Sequence, residues 1–131
     1  MHQSAGAIIK DKDGKILMIE RKFAPFGWAG PAGHINPGED PKMAMMREVK
    51  EEVGLNVIKS KLIFHEMLDW NRCSGGVVGH DWYLYEVLEW SGELIKEESE
   101  VKNIKWVELV ELKKIKLEEA YRYWFKKLSY L

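Results

Sequence analysis

The sequence predicts an α/β chain, on three observations: β-compatible runs open it and fill its middle, one sharply bounded helix interrupts them after residue 40, and an amphipathic helix closes it. Residues 3–10 and 15–21 are β-compatible and flank Asp11-Lys12-Asp13-Gly14, whose Asp-Gly pair supplies the positive φ of a tight turn, so an opening hairpin is expected. Residues 23–38 hold three of the four prolines and four glycines, which suits a loop with a short strand. A helix is predicted over 41–53: Asp40 can cap its free N–H groups, Pro41 is tolerated at the first position, and Gly54 can end it in the left-handed conformation. β-compatible runs follow at 55–68 and 80–88, separated by the glycine-containing stretch 74–79. That stretch is read as a connection and not as a phosphate loop, because a strand and not a helix follows it. A further strand is expected at 104–107. Over 117–128, Leu117, Tyr121, Trp124, Phe125 and Leu128 recur on one side of a helix, with Glu118 and Glu119 in its first turn and Lys126 and Lys127 in its last, matching the helix dipole.

The 131 residues suit one domain, and no repeat, low-complexity tract or linker divides them. Apolar residues at 46% and charged residues at 31% describe a chain that packs a core. Twenty basic against 21 acidic side chains give a net charge of −1, which argues against a dedicated nucleic-acid binder. The single Cys73 cannot form an intrachain disulfide and fits a reducing compartment. No run approaches a membrane span and the start has no signal-peptide pattern, so a cytoplasmic protein that does not engage membranes is expected.

Chemistry concentrates between Gly33 and Leu55. At about 100° per residue, Glu48, Glu51 and Glu52 fall within an arc of about 100° on the predicted helix, while Met46, Val49 and Val53 occupy a separate apolar arc. Carboxylates held that close repel and raise one another's pKa unless cations join them, and hard oxygen donors suit Mg²⁺ or Mn²⁺. No Cys/His cluster at zinc spacing competes. A solvated acidic helix face is the bland alternative, and the three acids alone do not defeat it.

The surrounding residues do. The segment matches the Nudix box, GX5EX7REUXEEXGU with U a bulky aliphatic residue, at Gly33, Glu39, Arg47, Glu48, Val49, Glu51, Glu52, Gly54 and Leu55. Average residue usage gives such a match by chance with a probability on the order of 10⁻⁷. The chain therefore resembles the Nudix hydrolase family, the MutT-like nucleotide pyrophosphohydrolases. Upstream, Trp28-Ala29-Gly30-Pro31-Ala32-Gly33 is similar to the family's Trp-x-x-Pro-Gly-Gly run, with Ala32 in place of the first glycine of the pair. Downstream, Glu97-Glu98-Ser99-Glu100 before Trp106-Val107 resembles its late acidic loop and Trp-bearing strand.

The resemblance implies an α/β/α sandwich with a mixed central β-sheet over residues 1–131. It also implies Mg²⁺- or Mn²⁺-dependent hydrolysis of a nucleoside diphosphate linked to another group. Glu48, Glu51 and Glu52 become the metal-binding and base candidates, with the base left unassigned, and the Gly33 carbonyl an additional metal ligand. Glu100, six residues before Trp106, is the late carboxylate, with Glu98 the runner-up. Arg47 and Glu39 are expected to pair and hold the loop against the helix. Arg21 matches a position that often faces phosphate; Phe26 is a candidate base-stacking residue, while Trp28 is assigned to the core. His34 is read as a hydrogen-bonded loop residue. The segment 70–79, with Arg72, is the candidate specificity loop. The expected partner is a small nucleotide, a nucleoside triphosphate first, acted on by a monomer or homodimer. An RNA 5′-end pyrophosphohydrolase and a non-catalytic nucleotide sensor are the alternatives; loss of box carboxylates would mark the sensor, and none is lost.

Overall fold

The computed structural model describes residues 2–72 and 78–131, with Arg72 and Val78 described in backbone alone. Among the described residues, seven strands, β1 (His2–Ile9), β2 (Ile16–Arg21), β3 (Trp28–Ala29), β4 (Ala32–His34), β5 (Asn56–Arg72), β6 (Val78–Ser91) and β7 (Val101–Val107), accompany two helices, α1 (Pro41–Val53) and α2 (Glu119–Lys127). A 3-10 segment, Leu109–Lys114, precedes α2.

The strands form a mixed four-stranded sheet in the order β4-β1-β6-β5, in which β1 and β6 run parallel, and an antiparallel three-stranded sheet in the order β3-β2-β7. Alternate side chains of β1 and β2 enter two separate cores. Ile8, Ile16 and Met18 pack with Trp82 and Leu84 against Tyr121, Trp124 and Phe125 of α2. Ala5, Ala7, Ile9, Leu17 and Ile19 pack against Ala44, Met45, Val49 and Val53 of α1. Period-two burial of both strands therefore places one helix on each side of the strand layer, the predicted sandwich.

The turn residues behave as expected: Gly14 has φ +83°, and Asp11 Oδ1 accepts the N–H groups of Asp13 and Lys15. The opening hairpin is shorter than predicted. After the Lys10–Ile16 bridge the two strands part, because β1 takes β4 and β6 as partners while β2 takes β3 and β7. Residues 23–38 hold two short strands where one was predicted. Helix α1 has the predicted bounds: Asp40 accepts from the N–H groups of Lys42 and Met43, and Gly54 ends it at φ +79°. Its core arc centres on Met45, with Met46 only partly buried, a rotation of one position from the expected arc.

The middle strands outrun their predicted bounds. Trp70–Arg72 still belong to β5, and Val78 and Gly79 already belong to β6, so the expected connection and specificity loop shrink. Cys73 and the rest of that connection lie outside the described residues, as does the Arg72 side chain. No helix among the described residues is long and apolar enough to cross a membrane.

Candidate active site

Helix α1 meets the 23–38 loop through Arg47. Its Nε donates to Glu39 Oε2 at 2.8 Å and its Nη2 to Glu39 Oε1 at 3.0 Å, a two-point pairing. The same Nη2 donates to the His34 carbonyl at 3.0 Å, and Nη1 to Glu48 Oε1 at 2.7 Å and Glu51 Oε2 at 3.3 Å. Glu39 is held down to about 2 by Arg47, with help from the Asn36 N–H. This fan ties the loop to the helix and fixes where Glu48 points, the structural work expected of the Arg47–Glu39 pair.

A cavity of about 500 Å³ opens beside it. Glu48, Glu52, Glu100, Arg21 and Gly33 line it, so the structure gathers these five predicted site residues on one space. Glu51 is not on its wall; its carboxylate is exposed and reaches Arg47. Phe26, 62% exposed, lines a separate depression with Lys22, Trp28 and Lys116. Phe23, which no motif marks, stands at the cavity instead.

Glu52 departs furthest from a helix face open to solvent. It is 2% exposed, its Oε1 accepts the Ala32 N–H at 2.8 Å, and its Oε2 accepts from Arg21 Nη1 at 3.1 Å. Arg21 also donates through Nε to Glu118 Oε2 at 3.0 Å and through Nη2 to the Ala32 carbonyl at 3.3 Å. Arg21 is thus a part-buried cation clasped between two buried carboxylates, and not a free surface charge. Glu118, read from the sequence as a dipole-matching residue, is 3% exposed and lines the cavity. Periodicity gave no sign of this, because Glu118 precedes the first residue of α2 and its inward turn follows from the Trp28–Leu117 bridge.

Burial sets the electrostatics. It pushes Glu52 up to about 7 against the pull of Arg21, with Glu48 adding to the rise. It raises Glu48 too; Arg47 opposes the rise, while Glu51 and Glu100 increase it. Glu118 is likewise raised by burial against Arg21. Crowded, partly desolvated carboxylate oxygens of this kind favour a hard divalent cation. The backbone makes room for them: a Cβ on Gly33 would land on the Glu48 carboxyl group, so glycine is what lets that carboxylate lie against β4.

Raised carboxyl pKa values have a consequence for folding. The folded chain binds the Glu52 proton more tightly than the unfolded chain, whose value is near 4.5, so stability contributed here falls as pH rises through about 7. His34 and His80, lowered chiefly by burial, act oppositely below pH 6.5, which confines the clean window to higher pH. In EDTA, the melting temperature of the wild-type chain should rise between pH 8 and pH 6.5 relative to that of Glu52→Gln by roughly 2 °C or more. Parallel melting curves for the two proteins would contradict the burial of an ionisable Glu52.

The late acidic loop is resolved by contacts. Glu97 spends its carboxylate on the Ser99 N–H and hydroxyl, and Glu98 is exposed and 3.7 Å from Lys96, whereas Glu100 reaches the cavity. Glu100→Gln is therefore expected to lower kcat, or raise the Mg²⁺ needed for half-maximal rate, by roughly 10-fold, with Glu97→Gln and Glu98→Gln near wild type. Mg²⁺ titrations of rate decide it, and a dominant effect at Glu98 would move the assignment by two residues.

No Cys/His cluster stands at zinc spacing in the sequence, but the fold brings three histidines together. His2, His34 and His80 bring one ring nitrogen each within 4.8 Å of one another. No spacing rule finds them, because they stand on β1, β4 and β6 and meet only through strand register. Asn71 and Trp82 also line the cavity, Asn71 Oδ1 accepting from Trp82 Nε1 at 2.9 Å.

Comparison with known proteins agrees with this geometry. The family model described as NUDIX domain matches residues 1–128. The asymmetrical bis(5′-nucleosyl)-tetraphosphatase of Caenorhabditis elegans is 42% identical over 67 residues, 49% of this chain and 47% of that protein. The RNA pyrophosphohydrolase of Yersinia enterocolitica is 45% identical over 53 residues, 40% of this chain and 30% of the relative. The matched segments thus span less than half the length of either relative. A MutT protein structure from Bacillus halodurans superposes with a TM-score of 0.79 at 21% identity, covering 96% of this chain and 80% of that one, and so shares the fold.

Proposed function

The chain belongs to the Nudix family, and on that premise we propose that it is a single-domain enzyme hydrolysing the pyrophosphate linkage of a nucleoside polyphosphate, a nucleoside triphosphate first, with Mg²⁺ or Mn²⁺. The observation that carries the proposal is the convergence of Glu48, Glu52 and Glu100 with the Gly33 backbone on one cavity. Those residues would hold the ion, with Glu51 at the edge of the set. When bound, a divalent ion neutralises pyrophosphate oxygens and acidifies water.

The chain's own residues do the rest. Arg47 holds Glu48 in place, and Arg21 with the Ala32 N–H holds Glu52. Burial raises both Glu48 and Glu52 above solvated carboxylates, and both stay candidates for the group that accepts a proton from an attacking water. Arg21, paired with Glu52 and Glu118, stands on the cavity wall proposed to receive phosphate, and the exposed Phe23 ring offers surface to a base. Arg72 and Phe26 remain proposed outer contacts for longer substrates. The single Cys73 supports a reducing compartment, which we propose to be the cytoplasm, and a monomer or homodimer is the proposed state.

The Caenorhabditis elegans relative makes dinucleoside polyphosphates the next substrate class, and the Yersinia enterocolitica relative makes a 5′-triphosphorylated RNA end a second reading. The test is a panel of nucleoside triphosphates, diadenosine tetraphosphate, ADP-ribose and 5′-triphosphate RNA, scored for phosphate release. At least one nucleotide should be cleaved with Mg²⁺ or Mn²⁺, EDTA should abolish the activity, and Ca²⁺ should support it poorly, because its larger and looser coordination mis-spaces water and phosphate. Tight nucleotide binding without turnover of any member would mark a sensor and overturn the proposal.

A further inference from the structure

We propose that His2, His34 and His80 form a second metal site, of imidazole chemistry, which takes one divalent transition ion of the zinc class at the wall of the same cavity. Strand register builds it. His2 pairs with His80 across the parallel β1–β6 ladder, and His34 pairs with Ser4, two residues along β1 from His2. All three side chains therefore leave the same face of the sheet. The ring centroids of His2 and His34 lie 4.6 Å apart, those of His34 and His80 5.7 Å, and those of His2 and His80 6.1 Å.

The donor set selects the ion. Three neutral nitrogens with no carboxylate suit Zn²⁺, Co²⁺, Ni²⁺ or Cu²⁺ and do not suit Mg²⁺. Nitrogens bound to one zinc at about 2.1 Å stand about 3.4 Å apart, so rings now within 4.8 Å close by roughly 1 Å, which exposed His34 and half-buried His2 can do by side-chain rotation. His80 is already oriented: its Nδ1 lies 3.3 Å from the Asn71 carbonyl, so a proton there leaves Nε2 as the ligand, the backing that metal-bound imidazoles commonly have. Three protein ligands leave a fourth position open, and because His34 and His80 line the cavity, that position faces the space assigned to substrate. The cavity thus sorts cations by chemistry, hard ions to the Glu48 and Glu52 oxygens and zinc-class ions to the imidazoles.

The test needs no turnover. The untagged chain, stripped with EDTA and kept in excess Mg²⁺, is titrated with Co²⁺ and followed by visible absorption, and with Zn²⁺ by calorimetry. One ion per chain is expected, with the visible bands of low-coordinate Co²⁺. His34→Ala and His2→Ala should each weaken binding by roughly 10²-fold with unchanged circular dichroism, whereas Glu48→Gln should leave it unchanged. His34 is exposed, so its loss does not threaten the fold. Absence of binding, or binding that survives loss of His34, or binding that is lost with Glu48, overturns the site.

Discussion

Glu52→Gln should fold and turn over at least roughly 10²-fold more slowly than the wild-type enzyme at saturating Mg²⁺. Glutamine keeps the volume of the side chain, and its carbonyl oxygen can still accept the Ala32 N–H. What disappears is a negative charge on the cavity wall, opposite the Arg21 guanidinium. Arg21 keeps Glu118 as a partner, so the variant does not leave this part-buried cation unpaired, and this is why the loss should fall on kcat and not on folding. Steady-state kinetics with a melting curve on the same preparation decide it. Full activity in a folded variant removes Glu52 from the catalytic machinery, and a collapse of stability would assign it to the scaffold.

The second large effect is expected where no side chain exists. Gly33 lies in β4 in extended backbone, paired with Ala5, a conformation that alanine adopts without strain. Gly33→Ala should therefore change the melting temperature little. The added methyl group occupies the volume of the Glu48 carboxyl group, and since β4 is pinned to β1, the side chain must yield. Glu48 then leaves both its place in the cavity and the 2.7 Å bond from Arg47. A fall in kcat of roughly 10²-fold, with the Mg²⁺ requirement raised, is the expected result, and the double variant with Glu48→Gln should be little worse than either single one, because both remove the same carboxylate. Unchanged kinetics in Gly33→Ala would show that Glu48 acts from another position.

Features carried by neighbouring residues were legible in the sequence. Asp40, Pro41 and Gly54 announce α1 at both ends because capping and left-handed termination are decided within one turn. The Arg47–Glu39 pairing could be expected because both residues sit in one motif, although its fan to Glu48, Glu51 and the His34 carbonyl needed coordinates. Periodicity placed Glu52 on an acidic face but could not see that Arg21 and the Ala32 N–H would turn that face inward. Glu118 was illegible for a similar reason: an acid at a helix start looks the same whether it caps, solvates or pairs with a part-buried arginine from a distant strand. Phe23 and Phe26, three residues apart in one loop, could not be told apart without the loop's path. The histidines are the clearest case, since His2, His34 and His80 converge only when β1 is paired with β4 on one side and β6 on the other.

That placement of β1 also sets the order of events in folding. His2 finds its parallel partner at His80, a separation of 78 residues, and Ile9 finds its own at Val87. The strand lies inside its sheet, so its inner hydrogen bonds cannot be completed by local turns, and the chain must close a long loop before they form. During synthesis α1 can form as soon as Gly54 is out and cover Ala5, Ala7 and Ile9, whereas Ile8, on the other face, waits for Trp82 and Leu84 of β6. The β1–β6 ladder is accordingly expected to be the slow step, and substitutions within it should act on the folding rate, as refolding kinetics of variants in β1 and β6 would show.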